Sequence, residues 1–145
     1  MDHHLILRVV TKLLIAPILL FALYVQFHGE YSPGGGFQAG VIFAVAFILY
    51  GIVFGLGRLR TLVPDWLVHK LVAAGALLYA GTGLVGLWMG GNFLDYDPLF
   101  ADRIDGQHYG IILIELGVGT TVFSVMLAIY YAFAGRPPSL RDEDW

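Results

Sequence analysis

Four apolar runs, each about as long as a bilayer is thick, leave this chain very few folds. They extend from about Leu5 to Phe27, Gly36 to Leu56, His69 to Met89 and His108 to Phe133. A helix needs about 20 mainly apolar residues to cross a hydrocarbon core roughly 30 Å thick. Lipid offers no hydrogen bonds, so each backbone N–H and C=O has to be satisfied inside the segment, as a helix does. The expected fold is an all-α integral membrane protein with four transmembrane helices. Composition agrees, since 58% of the 145 residues are hydrophobic and only 13% are charged, about half the ~25% charge of a soluble domain. The first run continues to Phe27, longer than the apolar part of a signal peptide and without a small-x-small cleavage site, so a retained helix is expected.

Orientation follows from the cations. Arg8, Lys12, Arg58, Arg60, Lys70, Arg136 and Arg141 fall at the N-terminus, in the 57–70 break or in the tail, and only Arg103 falls on the other side. Positive residues stay cytoplasmic, which predicts both termini in the cytoplasm and the segments around Gly29–Gly36 and Asp95–Asp105 outside. Residues 1–134 then form one transmembrane domain, and 135–145 a charged cytoplasmic tail.

Other function classes are excluded by what the chain lacks. There is no cysteine, hence no disulfide, thiolate metal site or cysteine nucleophile. A net charge of −3 without a basic patch gives no case for nucleic acid. His3, His4, His28, His69 and His108 are scattered over both predicted faces, so no metal site is expected, and no cofactor. No nucleophile–base constellation points to an enzyme.

The most specific stretch runs from His28 to Gly40, His-Gly-Glu-Tyr-Ser-Pro-Gly-Gly-Gly-Phe-Gln-Ala-Gly. Ser32 suits an N-cap and Pro33 a first helical position. Gly34, Gly35, Gly36 and Gly40 let another backbone come close, while Phe37 and Gln38 offer one large anchor and one polar contact. The glycines fit G-x-G-x-x-A, but no strand precedes them, so a dinucleotide site is rejected. No Lys-Ser or Lys-Thr follows, so a phosphate loop is rejected too. A plain interhelical turn and a subunit-packing site both fit, and packing is the reading adopted. Gly51-x-x-x-Gly55 is a further small-residue packing face. The glycines between Gly75 and Gly90 predict a narrow third helix sandwiched between neighbours.

Glu115 lies about two turns into the predicted fourth helix, where an acid costs roughly 2.5–3.5 kcal/mol to insert. It has to be paired, hydrogen-bonded or protonated there. His108 precedes it by seven residues on the same face, about 10.5 Å by helix rise. Lys12 invites pairing with Glu115, but it belongs near the cytoplasmic boundary and Glu115 near the outer one, which argues against direct pairing. Lys12 is expected to snorkel. Glu115, His108 and Lys12 are the candidates for an ion or proton route. A neutral Glu115 hydrogen-bonded in a packed interface is the competing reading.

These residues carry a resemblance. The segment His28…Gly40 resembles the signature of the B subunit of Mrp-type multisubunit Na⁺/H⁺ antiporters, MnhB. Gly90-Gly91-Asn92-Phe93-Leu94-Asp95-Tyr96 and Gly110-Ile111-Ile112-Leu113-Ile114-Glu115-Leu116-Gly117-Val118-Gly119 look like the family's later motifs. The likeness covers roughly residues 5–134, with Ala39 where many members have glycine. It implies a small subunit of a hetero-oligomeric complex in a prokaryotic plasma membrane, exchanging Na⁺ or another monovalent cation for H⁺. A purely structural subunit is the alternative, and a self-oligomerising channel a third reading.

Overall fold

The computed structural model describes residues 3–29, 34–99 and 102–136. The chain forms α1 (His3–Phe27), α2 (Gly36–Phe54), α3 (Leu56–Leu62), α4 (Asp65–Trp88) and α5 (Arg103–Ala134), with a single 3₁₀ turn at Asp97–Leu99. There is no strand among the described residues. Four of the helices, α1, α2, α4 and α5, are long and apolar enough to cross a membrane.

Glycine contacts fix how the helices run. Gly36 faces Glu115, Gly40 faces Gly119, and Gly51 faces Tyr130. Each step forward on α2 is matched by an equal step forward on α5, so the two helices are parallel. Gly75 meets Thr121 while Tyr79 meets Gly117, so α4 runs antiparallel to α5. α1 packs mainly on α2, giving a row α1–α2–α5–α4 with α5 in its interior. Because α2 and α5 run the same way, the glycine turn before α2 and the acidic loop before α5 lie at the same end, the turn end. α3 and the α4 start lie at the other, the basic end.

Several boundaries differ from the sequence expectation. α5 starts at Arg103 rather than His108, because the Asp102 side chain accepts from the Ile104 N–H at 3.0 Å and caps the helix. α4 starts at Asp65 rather than His69, directly after Pro64. The first half of the 57–68 break lies in the short helix α3 and its last four residues in α4, with α3 set off from α2 by Gly55 at φ 99°, a conformation that suits glycine. α2 takes Gly35 as its N-cap, without a side-chain cap bond, in place of the expected Ser32. Ser32 and Pro33 lie outside the described residues, as does the tail beyond residue 136.

The glycines of α4 do not place it between two helices of this chain, since it stands at one end of the row. Gly75 seats Thr121 of α5, whereas Gly83 seats the ring of Phe93 and Gly86 faces the Asp95 carbonyl. Gly110 of α5 likewise seats the ring of Tyr96. The acidic loop is thus plugged into the helix pair by its aromatics. It is further held by Asp97, which accepts from Arg103 Nε at 2.9 Å and from Gln107 Nε2 at 2.6 Å. Those two donors hold the Asp97 carboxyl below the usual carboxylate range.

At the basic end a side-chain core forms from Leu59, Val63, Val68, Leu127 and Tyr131. The Tyr131 hydroxyl donates to the Val63 carbonyl at 2.7 Å. Arg60 lies over the Tyr131 ring, 5.4 Å from its centroid. Its Nε is 3.3 Å from Asp65 Oδ1, an ion pair without hydrogen-bond geometry.

Candidate functional site at the glycine turn

The glycine turn folds back onto the end of α1. The Val25 carbonyl accepts from His28 N at 3.4 Å and from Gly35 N at 3.3 Å. A Cβ on Gly34 would stand 3.1 Å from that same carbonyl oxygen. Gly35 has φ 116°, in the region that favours glycine, and α2 leaves from it.

Glu115 occupies the space these glycines leave. A Cβ on Gly35 would lie 2.9 Å from Glu115 Oε1, and one on Gly29 would collide with the same oxygen. A Cβ on Gly36 would run into the Glu115 backbone carbonyl. The carboxylate is half-buried and sits at the N-terminus of α2, where unpaired N–H groups and the helix dipole favour negative charge. The two strongest sequence signals, separated by about eighty positions, therefore meet at one place.

Glu115 also sits further along its helix than the sequence suggested. It follows the helix start at Arg103 by twelve residues, about 18 Å at 1.5 Å per residue. One turn further on, a Cβ on Gly119 would approach Gln26 Oε1 at 2.7 Å and the Gly36 carbonyl at 3.1 Å. Gln26 is only 6% exposed and was not singled out from the sequence. The available signal was that it is the sole amide in the apolar run Leu13–Phe27.

The other candidates do not converge on this point. His108 is half-buried on α5 with its ring edge-on to Tyr109, centroids 5.4 Å apart. It stands two turns from Glu115 toward the acidic loop. Lys12 is exposed, with Nζ 5.7 Å from the centroid of the Phe54 ring at the end of α2. Glu115 lies at the start of the same 19-residue helix, so about 27 Å of α2 separates the two levels. Phe37 and Gln38 are exposed, Phe37 by 61%, and face away from the Gly36–Gly40 seam. Pro33 lies outside the described residues. Among the described residues no group of three or more His, Cys, Asp or Glu side chains is placed to hold a metal ion.

Comparison with known proteins gives a consistent set of relatives. Residues 6–128 match the family model described as a domain related to the MnhB subunit of Na⁺/H⁺ antiporter. The chain is 35% identical over 138 residues to a Staphylococcus haemolyticus protein named "Putative antiporter subunit mnhB2", covering 92% of this chain and 96% of that one. A Staphylococcus aureus (strain Newman) protein of the same name is 34% identical with the same coverage.

Proposed function

The chain belongs to the MnhB family of antiporter subunits, and from that premise we propose that it serves a multisubunit cation/proton antiporter by holding Glu115 on the route of the transported proton or cation. It is a multi-pass membrane protein whose homologues are subunits, so other subunits are its partners. The exchanged ions in this reading are H⁺ and Na⁺ or another monovalent cation, across a prokaryotic plasma membrane.

One observation carries the reading. The carboxylate of Glu115 is seated against Gly29 and Gly35 at the N-terminus of α2. A relay needs a group that exchanges its proton within an apolar span, at a fixed position. The glycine turn leaves room for the carboxylate at that position, because any side chain at Gly29 or Gly35 would take the space of its oxygen. Lys12, at the far end of α2, has no part in this step, and His108 is the candidate nearer the acidic loop. The termini are proposed to be cytoplasmic, since Lys12, Arg60 and Arg136 gather at the end opposite the turn.

A second reading rests on the same contact. α2 has no side-chain cap of its own, and Glu115 lies where such a cap would act, so its role is then purely structural, with the ion chemistry in other subunits. Glu115→Gln separates the two, since glutamine keeps a capping oxygen but does not titrate. In the relay reading the variant complex assembles at wild-type level while antiport in membrane vesicles falls about tenfold or more, as for loss of a general acid–base group. Normal assembly with a normal rate and pH profile leaves only the structural role.

A further inference from the structure

A cleft of about 400 Å³ opens beside the seam of α1, α2 and α5, lined by Leu23, Gln26, Phe43, Phe47, Leu116 and Phe123 among others. Its walls are almost wholly apolar, and the exposed side chains at its mouth include Leu23, Phe27 and Leu116, which are 42%, 60% and 37% exposed. The polar side chains in the lining are Thr120 and Gln26, and Gln26 is 94% withdrawn from solvent by its 6% exposure, its amide without a hydrogen bond among the described residues. A buried amide without a partner costs free energy, so a cleft presenting one invites a ligand with a polar atom at that level.

Depth identifies the ligand. Gln26 is the penultimate residue of α1, and α2 begins at Gly36 on the same side. The amide therefore lies near the membrane boundary at the turn end. From there the cleft descends along α5 from Leu116 to Phe123, seven residues or about 10.5 Å, toward the T-shaped contacts of Phe123 with Phe43 and Phe47 at 6.3 and 5.3 Å. A polar donor at interface depth above an aromatic slot matches a fatty acyl chain with its ester carbonyl.

We propose that this cleft is a binding site for one acyl chain of a bilayer phospholipid, with the Gln26 amide donating to the ester carbonyl and the Phe43, Phe47 and Phe123 rings enclosing the methylenes. The site depends only on the chain spanning a membrane and is independent of the role of Glu115. A lipid held here fills the seam one turn from the carboxylate and keeps water out of the α1–α2–α5 junction.

The test uses the intact complex in vesicles of phosphatidylglycerol carrying a diazirine midway along one acyl chain. After illumination, peptide mass spectrometry is expected to find adducts on Phe43, Phe47 or Phe123 as well as on the outward face of α1. Leu116→Trp should plug the mouth and lower the inner adducts about tenfold, the response to losing about 1.4 kcal/mol of binding, while the α1 adducts persist. Should that variant fail to assemble, Leu23→Trp closes the same mouth from α1. Inner adducts that are absent, or unchanged in an assembled plugged variant, overturn the proposal. Cross-linking of those rings to another subunit's side chain in the dark-stable complex does so as well.

Discussion

The two ends of the α2–α5 pair are joined by opposite means. At the turn end the contact is backbone on backbone, with Gly36 against the Glu115 carbonyl and Gly40 against that of Gly119. At the basic end the contact is made by side chains, with Leu127 and Tyr131 of α5 and Leu59 of α3 buried together and Phe47, Ile48 and Tyr50 of α2 packed against them. The first kind leaves no volume to redistribute, because two main chains are already in contact and neither has a rotamer to change. The second is a packed core, which loses stability in proportion to the volume removed and relaxes partly around the loss. A charged group is also placed differently. Arg60 at the basic end rests on an aromatic face with Asp65 beside it, whereas Glu115 is fitted into a space that only missing side chains create.

The largest effect that tests this contrast is expected from Gly36→Ala. One methyl group there has to displace the Glu115 backbone, which is part of a continuous helix. The helix pair should separate and the subunit should be lost from the complex on native gels. Gly35→Val should act similarly, since it combines a positive φ with a β-branched side chain beside the carboxylate. Normal assembly of Gly36→Ala would show that the seam gives more readily than its geometry allows.

Leu127→Ala probes the opposite end. Leu127 is fully buried, and truncations of this kind cost about 2–5 kcal/mol. The expected result is a lower melting temperature for an assembled complex, not loss of assembly. A smaller change is expected from Tyr131→Phe, which removes the donor to the Val63 carbonyl and keeps the ring under Arg60. The cost is about 1 kcal/mol for one buried hydrogen bond, read in the same melting experiment. If either substitution dissociated the complex as Gly36→Ala should, the two ends would not differ as described.

Much of this was readable from residues alone, for reasons that also explain what was not. The four spans were visible because hydropathy reports where lipid is, and α1 begins and ends much as expected. Hydropathy does not report where a helix begins in water, so the first five residues of α5, Arg103 to Gln107, read as loop despite the Asp102 cap. α3 was hidden in the same way, being a short helix with Arg58 and Arg60 among its leucines. Glu115 and the glycine turn were each conspicuous, but nothing local links positions about eighty apart. Their meeting follows from the parallel register of α2 and α5, which is a property of the whole row of helices. Gln26 was missed because an amide near a helix end reads as a boundary residue until its neighbours are known.

The smallest expected effect concerns the loop that closes the turn end. Asp97 accepts from Gln107 and Arg103, and these bonds hold its carboxyl below its ordinary value of about 3.9. A group whose folded value is depressed stabilises the fold above its unfolded value and loses that contribution as pH falls through the folded one. The clamp is therefore complete at neutral pH and fails only below about pH 4. Because its two donors, Gln107 and Arg103, are exposed, the effect should be confined to the loop, leaving Phe93 and Tyr96 seated on Gly83 and Gly110. Protease cleavage between residues 95 and 102 in vesicles should rise below that pH, with antiport at neutral pH unaffected. Asp97→Asn keeps an acceptor for Gln107 but loses the charge, so it should show slightly raised cleavage at every pH and no acid step. An acid step that survives in Asp97→Asn would show that the Asp97 clamp is not the pH-sensitive contact of this loop.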